Sequence, residues 1–146
     1  MAFSPIMPTS GLRPGDVIVY PYRWVREYRA DQSIDGAKDR PCGVIVAAKA
    51  ASGQTHILLL AISSQPPRPD QAALPLPQIE RRRAGLDVHR EAWIYVSEAN
   101  EDVEGQSYYL TDEPASGAIS KVFLERVKAT FLARLQQAKR SVVRRT

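Results

Sequence analysis

Residues 39–65 read DRPCGVIVAAKAASGQTHILLLAISSQ, and this stretch decides the fold. It contains two short apolar runs, Cys42–Ala48 and Ile57–Ile62, which are rich in Val, Ile and Leu. The turn-forming sequence Ala51-Ser52-Gly53 lies between them. Short apolar runs on either side of a glycine-containing turn predict a β-hairpin of two buried strands.

The position of the turn determines which side chains meet at the open end of this hairpin. If the chain folds about Ala51-Ser52, Arg40 lies opposite Ser63. A turn centred on Ser52-Gly53 instead places Arg40 opposite Gln65. Both registers bring a guanidinium and a hydroxyl to one end of one sheet. Because a guanidinium binds two phosphate oxygens at once and a hydroxyl donates a further hydrogen bond, this end predicts a phosphodiester-binding site.

Three segments in this order resemble the MazF/PemK family of toxin endoribonucleases: GDVIV at residues 15–19, DRPCGVIV at 39–46 and LAISSQ at 60–65. The resemblance implies a mainly β (α+β) fold, an SH3-like small barrel with a C-terminal α-helix. It implies that Arg40 and Ser63 are the catalytic pair. It also implies a homodimer that cleaves RNA and is neutralised by a cognate antitoxin protein.

The residue types at this site fit one part of RNA cleavage chemistry. Cleavage through the 2′-hydroxyl needs a proton acceptor, a stabiliser for the charge on the phosphate oxygens and a proton donor for the leaving oxygen. Arg40 supplies the charge stabiliser, but a guanidinium stays protonated and is a poor general base. Ser63 donates a hydrogen bond and is also a weak base. The sequence therefore predicts the electrostatic part of a metal-independent endoribonuclease acting on single-stranded RNA, and the resemblance implies that the arginine also takes part in proton transfer.

The two histidines are the other candidates for proton transfer. His56 begins the strand that ends at Ser63, so the two residues lie more than ~20 Å apart. His89 precedes the predicted strand at Trp93 and is either within reach of the site or an exposed loop residue. The sequence has no Gly-x-Ser-x-Gly motif and no His/Cys/Asp cluster with metal-ligand spacing. We therefore expect neither a Ser-His-acid hydrolase nor a metal or other cofactor.

A long segment at residues 22–38 combines aromatic and basic side chains and predicts a surface loop. We expect this loop to be mobile and to border Arg40. Its composition suits base stacking and phosphate binding, or alternatively a loop whose aromatic residues pack onto the barrel. The predicted substrate-binding residues are Trp24, Arg26, Ser64, Gln65 and Glu98.

The chain has 146 residues, of which 44% are hydrophobic, and this length favours one domain. We place the domain at residues 13–138, after a disordered leader at 1–12 and before a basic tail at 139–146. No segment approaches the ~20 apolar residues that a membrane span needs, so we expect a cytoplasmic protein. The single cysteine, Cys42, lies in an apolar strand and is expected to be a small buried side chain.

The formal net charge is +4, which suits a polyanionic partner without requiring one. Positive charge concentrates at Arg81-Arg82-Arg83 and again within residues 139–145. These groups are either a solvated helix face with a frayed tail, or contacts to phosphates. The alternative function is a non-catalytic SH3-like module that binds nucleic acid or a protein tail through the same groove.

The remaining predicted elements follow from local patterns. They are a strand at 16–22, a short edge strand at 72–76, a helix at 77–85, a strand at 93–96 and a polar, turn-rich stretch at 102–116. The last element is an amphipathic helix that Ser120 caps, with Leu124, Val127, Phe131 and Leu135 on the face that packs against the sheet.

Overall fold

The computed structural model of the protein describes residues 11–30, 37–105, 109–110, 113–136 and 142–145. Within these ranges the fold is mainly β, an open and strongly curled sheet of eight strands with three helices. In chain order the elements are β1 (Asp16–Pro21), α1 (Val25–Ala30), β2 (Asp39–Lys49), β3 (Thr55–Ser63), β4 (Ala73–Pro75), α2 (Gln78–Arg83), β5 (Trp93–Tyr95), β6 (Ala99–Glu104), β7 (Gly117–Ala118), α3 (Lys121–Leu135) and β8 (Val142–Arg144).

Strand β3 lies at the centre of the sheet. One of its edges pairs with β2, and its other edge pairs first with β6, along residues 55–59, and then with β5 at Ile62 and Ser63. Beyond β2 lie β1 and β7, and beyond β5 lies the short edge strand β4. All of these pairings are antiparallel, whereas β8 is added parallel to β6. The predicted strands at 16–22, 72–76 and 93–96 are thereby confirmed within one or two residues.

The predicted β2–β3 hairpin is confirmed, and a β-bulge at Ile45 divides it into two registers. On the open side Cys42 pairs with Ala61, and extending this register by two residues places Arg40 opposite Ser63. On the turn side the pairing is shifted by one residue. The register about Ala51-Ser52 is therefore correct at the predicted site and wrong by one residue near the turn.

Both faces of the sheet are buried, which explains why the hairpin sequence is almost continuously apolar. Alternate residues of β3 point to opposite faces. Leu60 and Ile62 pack with residues of α3 and with Leu76 and Ala84, which flank α2, in what we call the helix-side core. Leu59 and Ala61 pack in what we call the aromatic core, which also contains Tyr20, Tyr22, Trp24, Cys42 and Tyr95. Cys42 is fully buried, as its position in the strand predicts.

The amphipathic helix predicted after Ser120 is α3. The Ser120 hydroxyl accepts a hydrogen bond from the backbone N–H of Phe123 at 3.1 Å and caps the helix. The buried face of α3 carries Phe123, Leu124, Val127 and Phe131. Among the described residues, no helix has the length and apolar character needed to cross a bilayer.

Helix α2 is fixed to its neighbours by a buried carboxylate and by a close backbone contact. Glu80 accepts hydrogen bonds from the backbone N–H and the hydroxyl of Ser120. Burial alone raises the pKa of Glu80, but these bonds and the charge of Arg83 outweigh it and leave the pKa below its usual value. At the end of α2, a Cβ added to Gly117 would overlap the Arg83 carbonyl oxygen. The strand β7 therefore contacts α2 backbone to backbone.

Three expectations from the sequence differ from the structure. The segment at 22–38, predicted as a loop, contains α1. Its aromatic residues Tyr22 and Trp24 are buried, which agrees with the alternative that the aromatic side chains of this segment pack onto the rest of the fold. The predicted turn-rich stretch at 102–116 begins inside β6. The predicted frayed tail contains β8, and both Val143 and Arg145 are buried. In each case the local sequence lacks a regular apolar period, and tertiary contacts form the element.

Parts of four predictions lie outside the described residues. These are residues 1–10 of the predicted leader, 31–36 of the predicted loop, 106–108 and 111–112 of the predicted turn-rich stretch, and 139–141 and 146 of the predicted basic tail. Leu12, at the end of the predicted leader, donates its backbone N–H to Glu104 at 2.9 Å.

Candidate functional site

A cavity of about 350 Å³ opens where β2 begins and β3 ends. Arg40 lies on the same face of β2 as Cys42, and Ser63 lies on the same face of β3 as Ala61, so both project on the side of the aromatic core. The cavity is completed by the start of α1, by the loop after β3 and by β5. Its lining residues are Trp24, Arg26, Arg40, Ser63, Gln65, Pro66, Arg68, Gln71 and Tyr95.

Arg40 is half-buried in this cavity, and its charge is not neutralised by a described residue. Its guanidinium carbon lies 5.2 Å from the centroid of the Trp24 ring. Its Nε atom is buried without a hydrogen-bond acceptor, and no ion pair of the described residues involves Arg40. Buried donors in proteins normally have acceptors, so an anionic ligand oxygen fits this position.

Two further arginines make the cavity strongly cationic. The guanidinium carbon of Arg26 lies 5.4 Å from the centroid of the Trp24 ring, and Arg68 lines the wall formed by the loop after β3. No Asp, Glu or His side chain of the described residues lines this cavity. Three positive charges without an opposing carboxylate attract anions and disfavour cationic ligands.

Tyr95 holds the loop that follows Ser63. Its hydroxyl donates a 2.6 Å hydrogen bond to the carbonyl oxygen of Gln65, and its ring packs edge-on against Trp24 with the centroids 5.0 Å apart. Burial raises the pKa of Tyr95, and the charges of the three arginines offset this only in part, so the phenol remains a donor at neutral pH. The Ser63 oxygen accepts a 3.1 Å bond from the Gln65 N–H, which leaves its own proton available to a ligand.

The predicted base-stacking role of Trp24 does not fit its burial. The residue is only 6% exposed, and two guanidinium groups lie over its ring. Tyr22 is also fully buried. Trp24 therefore acts as the support that holds Arg26 and Arg40 in the cavity, through cation–π contacts and through its packing against Tyr95.

Glu98 lies behind Trp24 and positions the chain that carries it. One carboxylate oxygen of Glu98 accepts the N–H of Val25 at 2.9 Å and the hydroxyl of Tyr22 at 3.2 Å. Asn100, two residues later on β6, accepts the N–H of Arg23 and donates to its carbonyl, both at 2.8 Å. Glu98 is thus a structural residue and does not line the cavity.

The structure brings together five of the seven predicted site residues: Trp24, Arg26, Arg40, Ser63 and Gln65. Ser64 is exposed and does not line the cavity, and Glu98 lies behind it. Sequence reasoning missed Pro66, Arg68, Gln71 and Tyr95. Arg68 is the one charged residue in the proline-rich stretch after Gln65, and Tyr95 is a polar-tipped residue in a predicted strand, so both carried a usable signal.

The other predicted basic and histidine candidates have different positions. His89 is exposed and does not line the cavity, and His56 lies at the turn side of β3. In the Arg81-Arg82-Arg83 run, Arg81 donates to the carbonyls of Leu76 and Val88, and Arg83 pairs with Glu80. Arg82 is exposed, and its side chain makes neither a hydrogen bond to a carbonyl nor an ion pair among the described residues. Two of the three arginines therefore form contacts within the fold.

Glu98 gives the stability of the protein a predictable pH dependence. Burial raises the pKa of Glu98, and the bonds from Val25 and Tyr22 reduce the shift without cancelling it. The folded state thus binds this proton more tightly than the unfolded state, and ionisation of Glu98 lowers the free energy of unfolding as pH rises through the raised pKa. Glu98→Gln keeps an acceptor oxygen and removes the titration. We expect the variant to gain stability relative to wild type as the pH rises above about 4.5, measured by urea unfolding at one pH below this value and at one well above it.

Glu91→Gln, which removes an exposed carboxylate, controls for the general effect of one negative charge. The expectation is contradicted if the difference in unfolding free energy between Glu98→Gln and wild type is the same at both pH values.

A functional assignment of this protein rests on the candidate site itself. Its geometry is that of a cationic cavity with an arginine, a serine hydroxyl and an aromatic support at one end of a buried hairpin. No protein-family model matches the chain, and no curated protein sequence matches it.

Proposed function

We propose that this protein is a metal-independent endoribonuclease that cleaves single-stranded RNA, with Arg40 and Ser63 at the scissile phosphate. The observation that carries the proposal is the half-buried Arg40, which has no carboxylate partner among the described residues and shares a cationic cavity with Ser63. A phosphodiester supplies the acceptor oxygens that this guanidinium lacks.

In the proposed reaction the 2′-oxygen attacks phosphorus and the bond from phosphorus to the 5′-oxygen breaks. The products are a 2′,3′-cyclic phosphate and a 5′-hydroxyl, with one proton lost from the 2′-hydroxyl and one gained by the leaving oxygen. Arg40 donates to the non-bridging oxygens as their charge increases, and Ser63 donates a further bond. Arg26 and Arg68 bind the flanking phosphates. DNA lacks the 2′-hydroxyl and is therefore not a substrate.

A cavity of about 350 Å³ is too small to enclose a nucleic-acid duplex, which favours a single strand whose backbone bends into it. The resemblance of the segments at 15–19, 39–46 and 60–65 to the MazF/PemK toxins supports the same reaction. On this proposal the curled sheet is an SH3-like small barrel, the protein is a cytoplasmic homodimer, and a cognate antitoxin neutralises it.

A second candidate is a module that binds nucleic acid or an anionic protein tail without cleaving it. The observation in its favour is that no His, Asp or Glu of the described residues lines the cavity, so the usual side-chain general bases are missing from its wall.

Incubation of the purified protein with a long single-stranded RNA in EDTA tests the proposal. We expect cleavage products with cyclic phosphate ends. Ser63→Ala should slow cleavage about tenfold to a hundredfold, because a hydrogen bond to a charged group contributes about 1.5–3 kcal/mol. Ser52→Ala, in the exposed hairpin turn, is the matched control and should keep the wild-type rate. Retained RNA binding without cleavage would favour the second candidate.

A further inference from the structure

A buried polar cluster lies next to the aromatic core and contributes no residue to the lining of the cavity. Its centre is Asn100, which is fully buried on β6 and whose side chain pairs with both backbone groups of Arg23. Tyr20 donates a 2.5 Å hydrogen bond to the buried carboxylate of Asp102 on the same strand. These contacts join β6 to the chain between β1 and α1.

Arg145, the residue after β8, is inserted into this cluster and is 3% exposed. Its Nη1 atom donates to the carbonyl of Pro21 at 2.7 Å and to the Asn100 side-chain oxygen at 3.1 Å. Its guanidinium carbon lies 4.5 Å from the ring centroid of Tyr109 and 5.8 Å from that of Tyr20. The strand places it there through the pairing of β8 with β6, which the Arg145 N–H extends by donating to Glu101 at 2.8 Å.

These contacts connect Arg145 to Arg40 through three non-covalent contacts and one peptide bond. Arg145 binds Pro21 and Asn100, and Asn100 holds Arg23. Arg23 is directly followed by Trp24, and the Trp24 ring supports Arg40. Residues 22–24 have no regular secondary structure, and the side chains of Glu98, Asn100 and Arg145 contribute contacts that fix the path of residues 21–25.

We propose that Arg145 is a positioning residue, which fixes residues 21–24 so that Trp24 holds Arg40 in the cavity. The strand β8 is then a functional part of the site, although it contributes no lining residue. The predicted effect on RNA cleavage rests on the proposed function, whereas the effect on Trp24 does not.

The test compares Arg145→Gln with Arg144→Gln, each in a Trp93→Phe background so that Trp24 is the remaining tryptophan. Arg144 is the last residue of β8 and the direct neighbour of Arg145, its side chain is exposed, and its replacement removes the same charge, so it is a matched control. The first readout is quenching of Trp24 fluorescence by acrylamide. We expect stronger quenching and a shifted emission maximum in Arg145→Gln, and wild-type values in Arg144→Gln.

The second readout is the kinetics of RNA cleavage. We expect kcat to fall about tenfold to a hundredfold in Arg145→Gln with a smaller change in KM, because a misplacement of about 1 Å in a catalytic group has effects of this size. Arg145→Lys retains the buried charge and part of the hydrogen bonding, and should recover part of both signals. It also serves as the test variant if Arg145→Gln does not fold.

Unchanged Trp24 quenching in a folded Arg145→Gln, or in Arg145→Lys if the first variant is unfolded, overturns the proposal. Equal effects of Arg144→Gln and Arg145→Gln also overturn it. The effect would then come from losing one positive charge or from disturbing this part of the chain, and not from the contacts of Arg145. If the wild-type protein cleaves no RNA while Arg145→Gln alters Trp24, the proposed function fails and the positioning role stands.

Discussion

Replacing Arg40 with alanine is expected to lower the rate of RNA cleavage about 10²–10³-fold, the usual effect of removing a preorganised charge stabiliser. The fold should remain, because the Arg40 guanidinium forms no hydrogen bond or ion pair with the described residues. The guanidinium stacks over Trp24, and losing an exposed or half-buried cation–π contact costs about 0.5–1 kcal/mol. Cleavage is measured in EDTA, and folding is measured by thermal unfolding.

Two matched variants sharpen this result. Arg40→Lys keeps the charge but cannot bind two phosphate oxygens with a planar fork, so it should restore the rate only in part. Arg82→Ala removes an exposed arginine away from the cavity and should leave cleavage unchanged. A wild-type rate in Arg40→Ala would refute the assigned role of Arg40, whatever the activity of the other variants.

Replacing Gly117 with alanine is expected to reduce the free energy of unfolding by about 3 kcal/mol, the upper end of the range that is typical of overpacked sites. The new Cβ would overlap the Arg83 carbonyl oxygen and lie 2.7 Å from the Ala84 carbonyl carbon. Both are backbone atoms of the α2 end, so no side-chain rotation relieves the clash. Because small domains are stable by only about 5–15 kcal/mol, the variant should unfold at much lower urea concentration than wild type.

Gly11→Ala is the control for this variant, since an added Cβ there meets no atom within 4 Å. It should unfold at the wild-type urea concentration. If Gly117→Ala is as stable as Gly11→Ala, the direct backbone contact between β7 and α2 is not required for the fold.

The sequence predicted the parts of the fold in which local pattern and tertiary structure agree. The β2–β3 hairpin and α3 have apolar patterns with turn or capping residues at their ends, and α2 lies between a proline and a glycine; the bounds of each were found within three residues. The register at the open end of the hairpin was also correct. The turn alone does not determine that register, because the pairing next to the turn is shifted by one residue and the bulge at Ile45 restores the predicted pairing at the open end.

The missed elements are those that long-range polar contacts stabilise. Strand β6 carries Asn100 and Asp102 at fully buried positions, which contradicts the expected alternation of apolar and polar residues. These side chains are buried because Arg23 and Tyr20, nearly eighty residues earlier, supply their hydrogen bonds. Helix α1 has six residues, too few for a repeated apolar pattern to be recognised, and β8 consists of two valines and an arginine in a basic stretch.

At the site, the sequence identified the charged and hydroxyl-bearing side chains, but it did not identify the residues that hold them in position. Nothing in the pattern around Trp24 distinguished a ring that binds RNA bases from one that holds arginines. Arg68 and Tyr95 come from elements whose distance from Ser63 depends on how β5 pairs with β3. Such contacts follow from strand order, which the sequence does not specify by itself.

The bulge at Ile45 gives the open end of the hairpin a strand register that differs from the register next to the turn. Because the register changes at that residue, the segment 50–54 is able to accept an inserted peptide while the ladder on the other side of the bulge stays in place. A single-residue insertion between Arg40 and Cys42 has the opposite effect, since it moves the guanidinium to the other face of the sheet. The turn is therefore the natural point at which to attach a reporter or an affinity tag internally, and the first residues of β2 are the part of the chain least able to change in length.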